Sequence, residues 1–346
     1  MTIPSDDALH RVTGVIAERA AALDEHTTDV RDDLARIGAA RLFDPALADT
    51  GLPDMVRTID LIAAHSVAVG FSAWAHTMVL KYLRNAPPML RDKYVGDLAS
   101  GSRVGVTALD AGLEQVAGLG PVPLAAHSDG TGLRITGPVR WTPNVFDGAV
   151  VVVGVRGAGH DSYVAVVDLD TPGITVDPPA TMMALESTSS TSLHFDDVRV
   201  PGDQILSTDL PGFAALTRPG YVLLQAALCA GVGGAALAGA GAAGGVLADQ
   251  FVTELTDLTT RNRYLRQRLY GLAGERSHVH PAAFVRLRLD AVTLASAATR
   301  LESTLAGVPG SAAAGAANRR FREAAFLPVL SPSEGQLRWE LSQYRL

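Results

Sequence analysis

From Gly101 to Asp203 the apolar side chains recur with a period of two, whereas the stretches on either side repeat every three or four residues. This switch constrains the chain most, because a two-residue period suits a half-buried strand and a 3.6-residue period an amphipathic helix. Leu193 to Pro201 shows it best: Leu193, Phe195, Val198 and Val200 are apolar among polar neighbours, and Pro201-Gly202 stops the run. Ser102 to Ala108, Leu133 to Ile135, Ala149 to Val155 and Tyr163 to Leu169 read as further strands, separated by Gly, Pro and Asp turns. Upstream, Leu9, Val12, Ile16, Ala20 and Leu23 mark one helical face, and Val30, Leu34, Ile37 and Leu42 suggest a second. Met55 to Ala86 is a third helical block, interrupted at Gly70 and ended by Pro87-Pro88. Beyond Leu216 the helical period returns, with breaks near Gly271 to Gly274, Val308 to Gly310 and Pro328 to Pro332. The expected class is α+β: an N-terminal helical domain (1–100), a central β-domain (101–203) and a C-terminal helical domain (204–346).

Composition narrows the function. A chain of 346 residues can bury a large core. A net charge of −7 argues against a nucleic-acid partner, which would require a basic surface. The single cysteine, Cys229, rules out an intrachain disulfide framework and a cysteine-built metal site. No metal is expected, because the histidines lack ligand spacing and His278-Val279-His280 beside Pro281 is too little for zinc. Thr2 to Asp7 is polar and acidic, so no signal peptide is expected and the protein is placed in the cytoplasm. The apolar run Tyr221 to Leu247 lacks symmetric basic or aromatic anchors. It reads as a buried helix packed by small residues, with no membrane partner.

Two segments carry a resemblance to a known family. One runs through Thr136-Gly137-Pro138-Val139-Arg140-Trp141-Thr142-Pro143-Asn144, and the other is the strand ending Asp197-Val198-Arg199-Val200-Pro201. With helical blocks on both sides, they resemble the acyl-CoA dehydrogenases, whose middle β-domain has a Gly-Thr-Lys-x-Trp-Ile-Thr-Asn segment and a strand ending Asp-Val-x-Val-Pro. The resemblance spans almost the whole chain, is strongest from Leu42 to Gly202 and is weak after Asp249. It implies an acyl-CoA dehydrogenase-like fold in which the β-domain is barrel-like and the C-terminal helices form a bundle. It also implies FAD as cofactor, a homodimer or homotetramer, and a small-molecule or acyl-thioester substrate, of the kind found in secondary metabolism.

On that resemblance, Val106-Thr107-Ala108-Leu109-Asp110-Ala111-Gly112-Leu113 occupies the place of the Thr-Glu-Pro-x-Ala-Gly-Ser motif, with Ala108-Leu109 in place of Glu-Pro. Thr107, Asp110 and Gly112 are then cofactor-binding; taken alone, the segment is a strand ending in a turn. Trp141 and Thr142 match the residues beside the flavin ring and its N5 edge; otherwise Trp141 is an aromatic plug. The hydroxyl run Ser187 to Ser192, with Ser189 and Ser190 as substrate-binding candidates, is either a solvated loop or a donor set for a polar ligand.

For the base that removes an α-proton, Glu334 in Ser333-Glu334-Gly335-Gln336 is one candidate, the other reading being an exposed acid. No acid occurs around Leu223 to Gln225, the family's second position for it. His76, on a helix expected to border the substrate cavity, is an acid/base candidate or a hydrogen-bonded structural histidine. Arg261, Arg263, Arg266 and Arg268 either meet a diphosphate or form a solvated basic face. Ala312-Ala313-Ala314-Gly315 stands where the family has Gly-Gly-x-Gly. The expected function is an FAD-dependent oxidoreductase acting on an acyl thioester or related metabolic intermediate. The alternatives are a reduced-flavin-dependent monooxygenase of the same fold, and a flavin-free relative with a non-redox or ligand-binding role.

Overall fold

The computed structural model describes residues 6–275, 279–310, 312 and 315–344. Five helices come first: α1 (Asp6–Asp24), α2 (Arg31–Ala39), α3 (Leu52–Ala63), α4 (Val67–Leu83) and α5 (Pro88–Ser100). The interruption expected at Gly70 falls instead between α3 and α4. There Ser66 takes extended backbone angles and its hydroxyl accepts from the Val69 amide, so a cap starts a new helix. Gly70 lies inside α4, where an added Cβ would stand 2.9 Å from Leu228 Cδ2. It is a close-packing glycine, not a breaker.

The β-domain follows: β1 (Gly105–Ala108), the short helix α6 (Asp110–Val116), β2 (Ala125–Ser128), β3 (Gly132–Thr142), β4 (Val150–Arg156), β5 (Ser162–Asp168), β6 (Ile174–Val176), β7 (Thr191–Pro201) and β8 (Ile205–Ser207). Every strand expected from the sequence is present. The order β6-β7-β3-β2-β4-β5-β8, with β1 parallel to β4, leaves β6 and β8 as edges. A single bridge, Ala125 to Arg156, joins the half containing β3 and β7 to the half containing β4 and β5. The expected barrel-like domain is therefore two curled half-sheets meeting at one seam. β4 is buried through its Val150–Val155 run because the sheet covers it on one side and helices on the other.

The C-terminal bundle comprises α7 (Leu210–Gly241), α8 (Val252–Gly274), α9 (Pro281–Gly310), α10 (Ala316–Phe326) and α11 (Glu334–Gln343). Among the described residues α7 is the one helix long and apolar enough to cross a membrane, and 78% of its most apolar window is buried inside the fold. Its small residues permit close approach: a Cβ on Gly231 would come within 2.3 Å of the Asp60 carbonyl oxygen on α3. An ion pair, buried at its Asp60 end, ties the same helices to α8. Asp60 accepts from Arg266 Nη2 at 2.7 Å and from the Tyr270 hydroxyl at 3.0 Å. His278, Ala313 and Ala314 lie outside the described residues. His280 Nδ1 accepts from the Ala282 amide at 3.3 Å, which makes it part of the start of α9.

Candidate functional site

The β-domain meets α4, α6, α7 and the α10–α11 loop around a cavity of about 660 Å³, within the range of small-molecule sites. Five of the residues proposed from sequence border it: Thr107, Asp110, Trp141, Thr142 and Ser190. Phe71, Trp74, Tyr221 and Phe326 give it an aromatic wall on the helical side.

The strand β3 delivers Trp141 and Thr142 by a bulge. Val139 pairs with Leu193 and Thr142 with Thr191, so β3 fits one more residue than β7 between these pairs. Trp141 takes φ of 54°, a conformation that an indole-bearing residue adopts only where its surroundings impose it. The imposing contacts come from its near neighbours in the chain. Thr142 Oγ1 donates to the Thr107 carbonyl at 2.9 Å, and buried Asn144 donates to the Ser72 and Gly105 carbonyls at 2.9 and 3.0 Å. The result is an indole that is 59% exposed on the cavity wall, which is not the position of a core plug. Because the Thr142 proton is committed, its hydroxyl offers a ligand only acceptor lone pairs. Thr107 Oγ1 is 3.1 Å from the Tyr82 hydroxyl, whose own pKa is raised chiefly by burial.

Asp110 opens α6 and faces the cavity, with Glu114 one turn later on the same lining. Burial pushes the Asp110 carboxyl up to about 6, against the lowering effect of the Ala111 amide, and the charge of Glu114 adds to the rise. Among the described residues no ion pair reaches Asp110 or Glu114. The turn expected at Asp110-Ala111-Gly112 is instead a helix, and Leu109, Gly112 and Leu113 are buried at its base. Gly112 does not border the cavity. A Cβ there would stand 3.1 Å from Leu210 Cδ1, so its place is in the packing of α6 against α7.

Three other expectations are corrected in position. His76 is sealed in the core: its Nε2 is 2.8 Å from the Leu98 carbonyl, and its Nδ1 accepts from the Gly105 amide at 3.0 Å. Burial lowers its pKa to about 4, which keeps it neutral, and both ring nitrogens are taken. Glu334 starts α11 away from the cavity and accepts from Arg338 at 2.7 Å. The loop reaches the cavity instead with Val329, Leu330 and Ser331, and the buried Ser331 hydroxyl has no protein partner. Two prolines in the loop, Pro328 and Pro332, hide that register in the sequence. Ser189 belongs to a neighbouring pocket of about 420 Å³ and donates its hydroxyl to the Val145 carbonyl at 2.8 Å. Ser190 borders both spaces.

A planar ring with hydrogen-bonding edges suits the Trp141 face and the Thr107–Thr142 rim. A diphosphate is less well met. Arg140 is the one cationic side chain bordering the cavity among the described residues. On α8, Arg261 pairs with Asp257, Arg266 with Asp60 and Arg268 with Asp290, which leaves exposed Arg263.

No family model matches the chain. It is 29% identical over 157 residues to a probable acyl-CoA dehydrogenase, YngJ, of Bacillus subtilis, covering 42% of this chain and 40% of that protein. It is 26% identical over 130 residues to the bovine mitochondrial short-chain specific acyl-CoA dehydrogenase, covering 36% and 31%. The matches thus span two fifths or less of these relatives' lengths. Solved structures agree over far more of the chain. A glutaryl-CoA dehydrogenase from Mycobacterium smegmatis superposes with a TM-score of 0.87 at 18% identity, covering 99% of this chain and 94% of that one. Butyryl-CoA dehydrogenase from Megasphaera elsdenii gives 0.85 at 17%, covering 99% and 98%. PigA with FAD and proline gives 0.81 at 15%, covering 99% and 98%. At these identities the shared property is the fold.

Proposed function

We propose that this chain, a member of the acyl-CoA dehydrogenase superfamily by fold, is an FAD-dependent oxidoreductase acting on an acyl thioester or a related metabolic intermediate. The observation that carries this reading is the convergence of Thr107, Trp141 and Thr142 on one cavity, with the indole held out on its wall by a bulge. The sequence relatives are named as acyl-CoA dehydrogenases, and one fold neighbour was solved with FAD. Trp141 would stack on the flavin ring, Thr142 would accept a hydrogen bond at its edge, and Arg140 would face its anionic end. Bound there, the flavin supplies a two-electron acceptor. The protein's part is to hold the substrate against the Phe71, Trp74 and Tyr221 wall, exclude water and take up a proton.

The test is an absorbance and fluorescence titration with FAD. Wild-type protein is expected to bind it, and Trp141→Ala to bind about tenfold more weakly, since ring stacking contributes roughly 0.5–1.5 kcal/mol. Equal affinity in the variant would return Trp141 to an ordinary surface role. Failure of the wild type to bind FAD would favour the flavin-free reading, to which the engaged arginines of α8 already lend support. The monooxygenase reading draws on a different observation: the α10–α11 loop presents Ser331, not an acid, to the cavity.

We further propose a homo-oligomer. Val246, Leu247 and Val252 are strongly exposed at the α7–α8 connection, an apolar tip that a second copy would cover. Light scattering is expected to give a dimer or tetramer mass; a value near the 36.1 kDa of one chain would contradict it.

A further inference from the structure

We propose that Asp110 is the proton-accepting residue of this cavity, taking the α-proton of a bound acyl thioester. This role rests on the oxidoreductase reading above, which requires such a proton to leave. Among the described residues one other acid, Glu114, borders the cavity, and it is exposed to solvent; the candidates elsewhere are spent or misplaced. Glu334 lies outside the cavity, Glu340 is held by Arg218 and Gln336, and His76 has no free nitrogen. At the wall, α7 offers the Tyr221 side chain and the α10–α11 loop offers the Ser331 hydroxyl, neither of which is a base at neutral pH.

Asp110 is placed differently. It borders the cavity beside Thr107 and Ala111, and its charge reaches across to α4 and α7, where it adds to the burial that raises the Tyr82 and Tyr221 hydroxyls. The charged or titratable groups facing it are thus Glu114 on its own helix, Tyr82 on α4 and Tyr221 on α7, with Arg140 of β3 also on the cavity lining. A carboxyl with no ion-pair partner among the described residues, whose affinity for protons burial has raised, is matched to proton exchange near neutrality. In the step, a carboxylate oxygen of Asp110 forms an O–H bond, the substrate Cα–H bond breaks, and the electron pair stays on the thioester as its enolate. Glu114, one turn further along α6 on the same lining, is exposed to solvent and gives the proton a way out.

Two measurements test this. Protein loaded with FAD is mixed anaerobically with butyryl-, isovaleryl- or glutaryl-CoA while flavin absorbance is followed. Flavin-free protein is incubated with the same thioesters in heavy water, and α-carbon deuterium is read by mass spectrometry. The wild type is expected to bleach with at least one thioester and to wash in deuterium. Asp110→Asn should slow both by about a thousandfold, within the usual range for a lost general base, whereas Glu334→Gln should leave both unchanged. Wild-type rates in Asp110→Asn would overturn the assignment and leave the oxidoreductase reading standing. Asp110-dependent wash-in without any bleaching would sustain Asp110 and overturn that reading. Neither process in the wild type would overturn both.

Discussion

Arg288→Ala is expected to destabilise the protein by about 3–5 kcal/mol, the range for emptying a large buried site and orphaning its polar partners. Arg288 is completely buried on α9, and among the described residues no carboxylate pairs with it. Its guanidinium is held by neutral acceptors instead: Nε donates to Gln225 Oε1 at 3.1 Å, Nη1 to Cys229 Sγ at 3.4 Å and Nη2 to the Leu327 carbonyl at 2.9 Å. Gln225 then donates to the Ser331 carbonyl at 2.8 Å. One cation therefore joins α9, α7 and both ends of the loop whose Val329, Leu330 and Ser331 border the cavity. Truncation removes the charge, leaves a void and strips two oxygen acceptors of their donor at once. Arg288→Met would refill the volume without the charge and should recover a good part of the loss. Urea unfolding followed by tryptophan fluorescence reads both variants. An alanine variant within about 1 kcal/mol of wild type would show that water satisfies these groups and that the network carries little.

The sequence disclosed the architecture because the architecture rests on period. The strands through Val150–Arg156 and Thr191–Pro201 and the core helix α7 are each long enough for burial to stamp a pattern on the residues. β2, β6 and β8, at three or four residues, are too short to carry one. Trp141 and Thr142 are legible through a local motif, and the bulge that aims them is equally local. Glu334 and His76 are suggested by the family resemblance, whereas a site is settled by contacts between distant elements. His76 is sealed by Leu98 and Gly105, 22 and 29 residues away. The importance of the Asp110 side chain depends on a cavity whose lining also comes from α4, α7 and β3, and no motif around Asp110 states that. Arg288 and Glu323 give no signal at all, since an arginine or a glutamate in a helix looks the same whether it faces solvent or core.

Glu323 provides the second large effect. It sits on α10, buried, and its carboxylate accepts from the amides of Val67 and Ala68 at the start of α4. With Ser66 capping Val69, three of the four amides that a helix start leaves open are thereby met. Those amides and Arg319, 3.9 Å away, favour the charged form. Burial opposes them and wins, pushing the carboxyl up to about 7 from its ordinary 4.5. A folded-state pKa above the unfolded one means that the native state holds the proton more tightly. Stability from this group is therefore full below about pH 4.5 and is lost as pH rises through 7. Glu323→Gln keeps an acceptor oxygen for both amides and never ionises. It should match wild type at pH 5 and exceed it by about 2–3 kcal/mol at pH 8, since each tenfold gain in proton affinity on folding corresponds to about 1.4 kcal/mol. Urea unfolding of both proteins at pH 5, 6, 7 and 8 measures the difference. Parallel pH curves would mean that Arg319 and the α4 amides compensate the buried charge in full, and a variant weaker at every pH would mean that the anion itself anchors α10 to α4.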